Sequence, residues 1–253
     1  MAVTSLKSAR EIELMRQAGR VVAEVLGLLR ERTAPGVTTA ELDRLAEAHT
    51  KARGAICAFK GYRGFPASAC ISVNEEVVHG IPGPRAIVDG DVVSVDFGVK
   101  LDNYFADAAL TVLVGNVTEE ARRLVAVTEE SLERAMQKMV PGNRLSDVSR
   151  AVQDYVESNG FSVVRQFVGH GIGRKMHEDP KVPNYVEERG QGAGLVLREG
   201  LVLAVEPMVN CGACDVRTLK NGWTVVTADG RLSAHAEHTI AVTENGPRVL
   251  TQL

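Results

Sequence analysis

The stretch GDVVSVDFGV (residues 90–99) aligns with a second stretch, GLVLAVEPMV (residues 200–209), and this pair decides the fold. Each is a short apolar run of the kind that forms a buried β-strand. Each also carries an acid at its seventh position, Asp96 in the first and Glu206 in the second. We therefore predict two equivalent strands with a carboxylate at the same place.

The correspondence extends into a repeat of the chain, which is the strongest indication of its organisation. Pro35-Gly36 and Pro141-Gly142 each precede a predicted helix, and they lie 106 positions apart. The same spacing relates Leu42 to Val148 and Gly54 to Gly160. Chance similarity between two α/β segments is the alternative, but a shared spacing makes it the weaker explanation. We predict one catalytic domain, residues 1–253, with pseudo-symmetric halves at about 1–115 and 116–253.

Further along each half, a second strand also carries an acid. FADAALTV (105–112) aligns with HAEHTIAV (235–242), which places Asp107 opposite Glu237. A histidine is repeated as well, since His79 in HGIP is echoed by His170 in HGIG. A pseudo-twofold axis between the halves would bring these six residues together.

The local patterns predict a mixed α/β architecture. Apolar residues at helical spacing from about Ile12 to Leu29 indicate a helix that Pro35-Gly36 ends, and Thr39 is the predicted N-cap of a second helix. The remaining predicted elements are strands at 70–73, 91–99 and 104–114 and a helix at 118–139.

The composition and charge of the chain indicate which partners it can bind and in which cellular compartment it is expected. The 253 residues are 45% hydrophobic and carry a net charge of −3, with no basic block that would bind nucleic acid or anionic lipid. The N-terminus lacks the apolar run of a signal peptide, and no stretch is long enough to span a bilayer. Four cysteines are too few for a disulfide framework. We expect a soluble cytoplasmic protein with reduced thiols.

The acids of these strands are surrounded by small residues, because alternate side chains share a strand face. Asp96 shares its face with Ser94 and Gly98, and the other three acids alternate with Ala204, Ala109 and Thr239. Buried carboxylates without partners cost several kcal/mol, so four together need cations. Two divalent ions would balance four carboxylates, and mostly oxygen ligands with imidazole suit Mn, Fe(II), Co or Zn. The alternative, acids at strand ends in water, is disfavoured by their apolar flanks.

Other patterns are interpreted as structural. GHGIG (169–173) and GQGAG (190–194) lack the complete dinucleotide-binding pattern, and His177-Glu178 does not begin an HExxH helix. Cys211 and Cys214 form a CxxC without a second pair, which indicates a surface loop with incidental thiols. His49 is predicted to be a solvated helix residue.

At these residues the sequence closely resembles the methionine aminopeptidases in their short bacterial form. The matching segments are AGRVVAEVL, GYRGFPASACISVNEEVVHGIP, DGDVVSVDFGV, VGHGIGRKMHEDP, VEPMVN, NGWTV and SAHAEHT, in family order from about residue 18 to residue 243. The resemblance implies a pita-bread fold, an α/β (α+β) domain with a curved antiparallel sheet covered by helices. It also implies a dinuclear metallo-exopeptidase that removes the initiator methionine from nascent proteins when the second residue is small.

The resemblance assigns roles residue by residue. It implies that the metal ligands are Asp96, Asp107, His170, Glu206 and Glu237, with Asp107 and Glu237 bridging two divalent ions. Glu206 is also the implied proton acceptor, His177 the residue that stabilises the carbonyl oxygen, and His79 the contact to the scissile nitrogen. The implied substrate-binding residues are Tyr62, Phe65, Cys70, His79, Met176, His177 and Trp223.

Three positions depart from the family pattern without removing a ligand: Met176, Ala108 and His235 stand where Phe, Thr or Ser, and Gln are usual. Two alternatives stay open. A proline-specific peptidase of the same fold would share the ligands but normally carries an additional N-terminal domain, and a non-catalytic interaction protein would have lost ligands. The expected partner is the N-terminal methionine of nascent polypeptides, with docking on the ribosome left open, and the expected state is a monomer.

Overall fold

The computed structural model describes residues 4–186 and 194–253, so the stretch GQGAG lies outside the described residues except for its last glycine. The helices of this part are α1 (Ala9–Arg32), α2 (Thr39–Ala52), α3 (Glu119–Met136) and α4 (Leu145–Ser158). The strands are β1 (Ile56–Cys57), β2 (Cys70–Val73), β3 (Glu76–Val78), β4 (Val92–Leu101), β5 (Tyr104–Leu113), β6 (Ser162–Val163), β7 (Gly169–Gly171), β8 (Glu178–Val182), β9 (Val202–Val205), β10 (Met208–Asn210), β11 (Val216–Thr218), β12 (Val225–Thr227), β13 (Ser233–His235), β14 (Glu237–Thr243) and β15 (Gly246–Val249). A short 3₁₀ turn covers Tyr62–Gly64.

The largest sheet is antiparallel throughout and has the order β1-β4-β5-β14-β9-β7-β8, with β2 added on β4 and β15 on β14. One core cluster joins α1 and α2 to β4 and β5, and another joins α3 and α4 to β9 and β14. The helices therefore cover one face of the sheet. This mixed architecture, with its curled antiparallel sheet, confirms the predicted fold class.

The two halves repeat each other at the level of single hydrogen bonds. Gly36 donates its N–H to Ile87 O at 2.8 Å, and Gly142 donates to Leu197 O at 3.0 Å. Both glycines have a left-handed backbone, with φ of 91° and 92°, which a residue with a Cβ rarely adopts. The predicted repeat is confirmed in these turns. The division of residues 1–253 into halves at about 115/116 stays a prediction.

The start of α2 differs by one residue from the sequence prediction. Thr38, not Thr39, is the N-cap: its hydroxyl accepts from the Glu41 N–H, and the Glu41 carboxylate accepts from the Thr38 N–H in return. The reason is the spacing, since Glu41 stands three residues after Thr38, as a capping box requires. Thr39 instead accepts from the Gly83 N–H at 2.8 Å.

Two further predictions are corrected by packing. His49 is not simply solvated, because its Nε2 lies 3.1 Å from the Glu24 carboxylate of α1. Cys211 is buried in a core cluster rather than exposed on a loop, whereas Cys214 is half-buried and both are free thiols. The sequence did not reveal that β10 and the segment after it pack beneath α3. Within the described ranges, no helix combines the length and the apolar character needed to cross a membrane.

Candidate active site

Neighbouring strands of the large sheet bring three of the four acids and His170 into two rows, and Glu206 directly follows β9. In one row, Asp96 on β4 lies beside Ala109 on β5, which lies beside Glu237 on β14. Ala109 is the small residue that separates the two carboxylates. The strand register therefore places residues from both halves on the same face.

The second row runs from β4 to β7. Gly98 pairs with Asp107 on β5, and Thr239 on β14 donates its hydroxyl to Asp107 O at 2.8 Å. Thr239 pairs in turn with Ala204 on β9, which pairs with His170 on β7. Side chains between Asp107 and His170 are small, so the acids face open space rather than packed atoms.

His170 points one ring nitrogen at this space. Its Nδ1 lies 2.8 Å from Gly171 O, so Nδ1–H donates to that carbonyl, and in the neutral ring Nε2 then carries the lone pair that a metal ligand needs. Nε2 lies 3.5 Å from Asp107 Oδ2 and 3.7 Å from Glu206 Oε1. One ligand atom each from Asp107, His170 and Glu237 lies within 4.8 Å of the others.

Close packing of the strands explains the glycines around His170. A Cβ on Gly169 would lie 2.3 Å from Ala204 O, and one on Gly171 would lie 2.4 Å from Asp179 O. Neither position has room for a side chain. The Gly-rich stretch GHGIG thus serves strand packing beside the acids, and this agrees with setting a dinucleotide role aside.

Burial and mutual repulsion shift the pKa values of the clustered acids in the absence of metal ions. Burial and repulsion among the carboxylates raise the pKa of Asp96 and of Glu237 well above the usual range, and burial raises that of Glu206 to about 8. Burial alone would lower the pKa of His170, but Asp107 and Glu206 raise it to about 9. Asp96 Oδ1 is buried without a hydrogen-bond partner.

These features fit divalent ions. The donor atoms are carboxylate oxygens and one imidazole nitrogen, they converge on one space, and a buried oxygen is left for a ligand that the protein does not provide. Asp96, Asp107, His170, Glu206 and Glu237 are the residues that would hold the ions. That ligand set stays a prediction.

The acids form the floor of a cavity of about 140 Å³ whose walls are mostly uncharged. Phe65 contacts Trp223 edge to face at 5.2 Å between ring centroids, and His79 contacts Trp223 in the same way at 6.2 Å. Cys70 and Met176 are buried in the wall. The result is a narrow apolar slot that ends at the carboxylates.

His79 reaches the cavity from an unusual backbone position. Its φ is 59°, a left-handed value that non-glycine residues seldom adopt, and such residues concentrate at functional sites. Its ring packs edge to face on Phe167 at 5.5 Å. Burial lowers the pKa of His79, so the neutral imidazole is favoured.

His177 also lines the cavity, and its side chain is exposed. Its ring stacks on Tyr62 at 5.3 Å with an angle of 10°, and it lies 4.0 Å from the ring of His170. Its Nδ1 is 3.0 Å from the Tyr62 hydroxyl. Desolvation and the neighbouring His170 lower the pKa of His177 to about 4.

The structure brings every sequence-predicted site residue to this one cavity: Tyr62, Phe65, Cys70, His79, Asp96, Asp107, His170, Met176, His177, Glu206, Trp223 and Glu237. Two lining residues were missed, Phe59 and Arg63. Aromatic residues recur every third position at 59, 62 and 65, and this spacing was the signal that could have found Phe59. Nothing in the sequence marked Arg63.

The three departures from the family pattern occupy different environments. Met176 is in the cavity wall, and Ala108 is fully buried on the helix-covered side of β5. His235 is almost completely buried, and its Nε2 has no hydrogen-bond partner. Burial lowers the pKa of His235 to about 3, so this ring is neutral.

Comparison with known proteins agrees with this geometry. The family model described as metallopeptidase family M24 matches residues 13–244. A methionine aminopeptidase of Clostridium perfringens is 56% identical over 246 residues, covering 97% of this chain and 98% of that protein. Methionine aminopeptidase 1 of Bacillus subtilis is 51% identical over 247 residues, with 98% of each chain covered.

Solved structures give the same result. The crystal structure of a methionine aminopeptidase from Thermotoga maritima has a TM-score of 0.95 at 46% identity and covers 99% of this chain and 100% of that one. A prolidase from Pyrococcus furiosus has a TM-score of 0.78 at 22% identity, covering 98% of this chain and 65% of that one, which shows a shared fold. The chain therefore belongs to metallopeptidase family M24 and, within that family, to the methionine aminopeptidases.

Proposed function

We propose that this protein hydrolyses the first peptide bond of polypeptides that begin with methionine and have a small second residue. The observation that carries the proposal is that one cavity has both a floor of metal-binding side chains and an apolar wall. A floor of carboxylates and His170 is suited to metal-assisted hydrolysis, and the wall of Phe65, Trp223 and Met176 is suited to an apolar side chain.

The wall favours methionine over other terminal residues. A thioether is unbranched and makes favourable contacts with aromatic rings such as Phe65 and Trp223. The walls that face it carry no acid or base to pair with a charged side chain, although Arg63 lies at the rim. Since hydrophobic fit discriminates by only about 1–3 kcal/mol per methylene, exclusion of β-branched residues must be steric.

Two divalent ions, held by Asp96, Asp107, His170, Glu206 and Glu237, would supply Lewis acidity for the carbonyl and lower the pKa of a water molecule. The protein contributes proton transfer and orientation. Glu206 lies beside the space between the ligands, 3.7 Å from His170 Nε2, and is the proposed proton acceptor.

The histidines at the opening have separate proposed roles. If Tyr62 O–H donates to Nδ1, His177 keeps Nε2–H as a donor that can bind the carbonyl oxygen as its charge develops. His79, on the other side, would contact the scissile nitrogen. Both are neutral by their lowered pKa values, which suits hydrogen bonding rather than charge pairing.

The alternatives fit less well. A proline-specific peptidase of the same fold shares the sheet, but the relatives above 50% identity are methionine aminopeptidases. A non-catalytic interaction protein would have lost ligands, and here every residue of the expected set faces one space. We further propose that the substrates are nascent polypeptides in the cytoplasm and that the protein acts as a monomer, with or without docking on the ribosome.

A peptide panel tests the substrate. We expect Met-Ala-Ser to be cleaved with a far higher kcat/KM than Leu-Ala-Ser, Lys-Ala-Ser or Met-Lys-Ser, and norleucine to be tolerated in place of methionine. The last peptide tests the second position, which should accept only small residues. Equal turnover of the Leu or Lys peptides would leave a general aminopeptidase instead.

Removal of metal tests the chemistry. Chelation should abolish cleavage, and addition of Mn, Co, Zn or Fe(II), the last without oxygen, should restore it, with two ions bound per chain. Full activity in protein shown to be metal-free by elemental analysis would overturn the dinuclear assignment. The same titration would identify the preferred ion.

A further inference from the structure

The segment before α1 contains an unusually placed lysine, Lys7. In the part of the chain that the structure describes, it is the only buried lysine, with 7% of its surface exposed. Lysine is almost never buried unless its charge is paired. Its backbone N–H also donates to Gly200 O at 2.6 Å, which fixes the segment against the turn before β9.

The Lys7 ammonium is paired with Glu178, the residue that follows His177. Nζ lies 2.6 Å from Glu178 Oε2 and 3.2 Å from Ser5 O, and the two side chains of the pair are only 5% and 16% exposed. The other carboxylate oxygen, Glu178 Oε1, accepts from the Lys175 N–H at 3.0 Å. Glu178 therefore connects Lys7 to the turn that leads into His177.

A second connection holds the beginning of the same loop. Arg174 donates to the Tyr104 hydroxyl at 2.6 Å, and that hydroxyl donates to Glu11 in the first turn of α1 at 2.8 Å. The Phe105 N–H donates to Gly173 O at 2.8 Å. Residues 173–178, which run into the first residue of β8 and which we call the His177 loop, are thus attached at one end to the start of α1 and at the other to the segment before it.

His177 is held by this loop and by two neighbouring rings. Its side chain is exposed, its ring contacts those of Tyr62 and His170, and its Nδ1 lies 3.0 Å from the Tyr62 hydroxyl. The ring contacts orient the imidazole, and its distance from the cavity also depends on where the backbone at 177–178 is held. Glu178 begins β8 and pairs with Gly171 of β7, and its ion pair with Lys7, neither residue of which lines the cavity, adds a side-chain anchor to that backbone.

We propose that Lys7 is a positioning residue for the reaction: through its buried ion pair with Glu178 it holds His177 at the opening of the active site. Lys7 touches neither substrate nor ligands and acts through the loop. This inference rests on the proposed function, in which His177 binds the carbonyl oxygen. Without Lys7, the unpaired Glu178 carboxylate would turn toward water, and the adjacent His177 would move with it.

The test compares Lys7→Met with Lys7→Arg and with Arg53→Met. Lys7→Met keeps the length and apolar stem but removes the charge, whereas Lys7→Arg keeps the charge. Arg53 is the matched control, since it pairs with Glu24 of α1 at 2.6 Å but has no contact with the His177 loop. We expect Lys7→Met to lower kcat for Met-Ala-Ser about 10- to 100-fold, because a displacement of about 1 Å can cost that much.

KM and bound metal should change by less than about twofold, Lys7→Arg should recover most of kcat, and Arg53→Met should match wild type. Should Lys7→Met fail to fold, as judged by circular dichroism, Glu178→Gln gives the same test, because it weakens the ion pair but keeps a hydrogen-bond acceptor. Wild-type kcat in a folded Lys7→Met or Glu178→Gln protein would overturn the proposal.

A double-mutant cycle separates positioning from a general structural role. In a His177→Ala background, Lys7→Met should have no further effect on kcat, because the residue through which it acts is gone. An equal loss of kcat in both backgrounds would show a structural role and overturn the proposal.

The ¹⁵N shifts of the His177 ring in metal-free protein give a readout that does not depend on activity. They should change in Lys7→Met and stay as in wild type in Arg53→Met, and unchanged shifts in Lys7→Met would overturn the proposal. If wild type did not cleave Met-Ala-Ser, the proposed function would fail, while the ring shifts would still report on the attachment of His177.

Discussion

The two halves of the molecule provide the same scaffold for the site but different histidines. Asp96 and Asp107 on β4 and β5 correspond to Glu206 and Glu237 near β9 and β14. The two histidines that occupy equivalent places in the repeat have different surroundings. His170 Nε2 lies 3.5 Å from the Asp107 carboxylate, whereas the His79 ring packs against Phe167 and Trp223 in the cavity wall.

This difference separates the strands that carry the acids, which are alike in the two halves, from the segments that line the cavity, which are not. The two divalent ions that we propose would be balanced by four carboxylates, and these come from both halves, which accounts for the symmetry of the strands. Substrate binding needs an asymmetric slot. The first half supplies it with the aromatic segment around Tyr62 and Phe65, and the second half supplies the loop that carries His177. Each half has therefore added a different element to the same pair of strands.

The largest expected effect comes from the matched acids Asp96 and Glu206. Both Asp96→Asn and Glu206→Gln should weaken metal binding, which elemental analysis would measure. At saturating metal, Glu206→Gln should still lower kcat by about 10²- to 10⁴-fold, because it also removes the proposed proton acceptor. Asp96→Asn should recover more of its activity as metal is added. Equal kcat values for the two variants at full metal occupancy would remove the distinction between the halves.

The histidines should separate metal binding from catalysis. We expect His170→Ala to lose metal, whereas His79→Ala should keep its metal and its fold but lose about 10²- to 10⁴-fold in kcat. The measurements are metal content, thermal unfolding and steady-state kinetics on Met-Ala-Ser. Wild-type kinetics in His79→Ala would make His79 a wall residue only.

The metal-free protein should become less stable as the pH rises from 7 to 8.5. The folded pKa of Glu206 is about 8 and that of His170 about 9, both above their ordinary values, so the folded state holds more protons than the unfolded state in this window. Stability that is present at pH 7 is therefore lost as the pH rises, by at most about 1.4 kcal/mol per pH unit for each group, and the contribution of Glu206 levels off above its folded pKa. His177 and His235 have lowered pKa values of about 4 and about 3, so they titrate below this window. Their contribution to the free energy of unfolding increases as the pH rises, which is the opposite direction.

Thermal unfolding of chelated and metal-loaded protein at several pH values checks this expectation. Only the chelated protein should show a falling Tm, since metal ions replace the protons. A chelated Tm that is constant or rises between pH 7 and 8.5 would contradict the electrostatic description of the site.

The smallest effect concerns the matched helix starts of α2 and α4. Thr38 caps α2 with its hydroxyl, whereas Arg144, at the corresponding place before α4, has no side-chain acceptor to offer. Thr38→Ala should cost about 1 kcal/mol, and Arg144→Thr should stabilise by a similar or smaller amount. Urea unfolding would measure both. Destabilisation by Arg144→Thr would show that this arginine has another role.

Much of the fold could be predicted from the sequence because its signals are local. The periodic apolar positions of α1, the apolar strands around Asp96 and Glu206, and the Pro-Gly turns at 35–36 and 141–142 each depend on neighbouring residues only. The repeat then related the two halves. The error at the start of α2 was also local, since Glu41 fits Thr38 rather than Thr39 as its capping partner.

The sequence by itself determined which residues are the candidates for the chemistry, because carboxylates embedded in apolar strands need cations in any fold that buries them. Only the tertiary structure decided how they meet. Strand register places Ala109 between Asp96 and Glu237, and a distant lysine, Lys7, lies behind His177. Such contacts join residues far apart in the chain, and no local pattern encodes a distance of that kind. For the same reason the burial of Cys211 and the place of Arg63 at the rim were decided by packing alone.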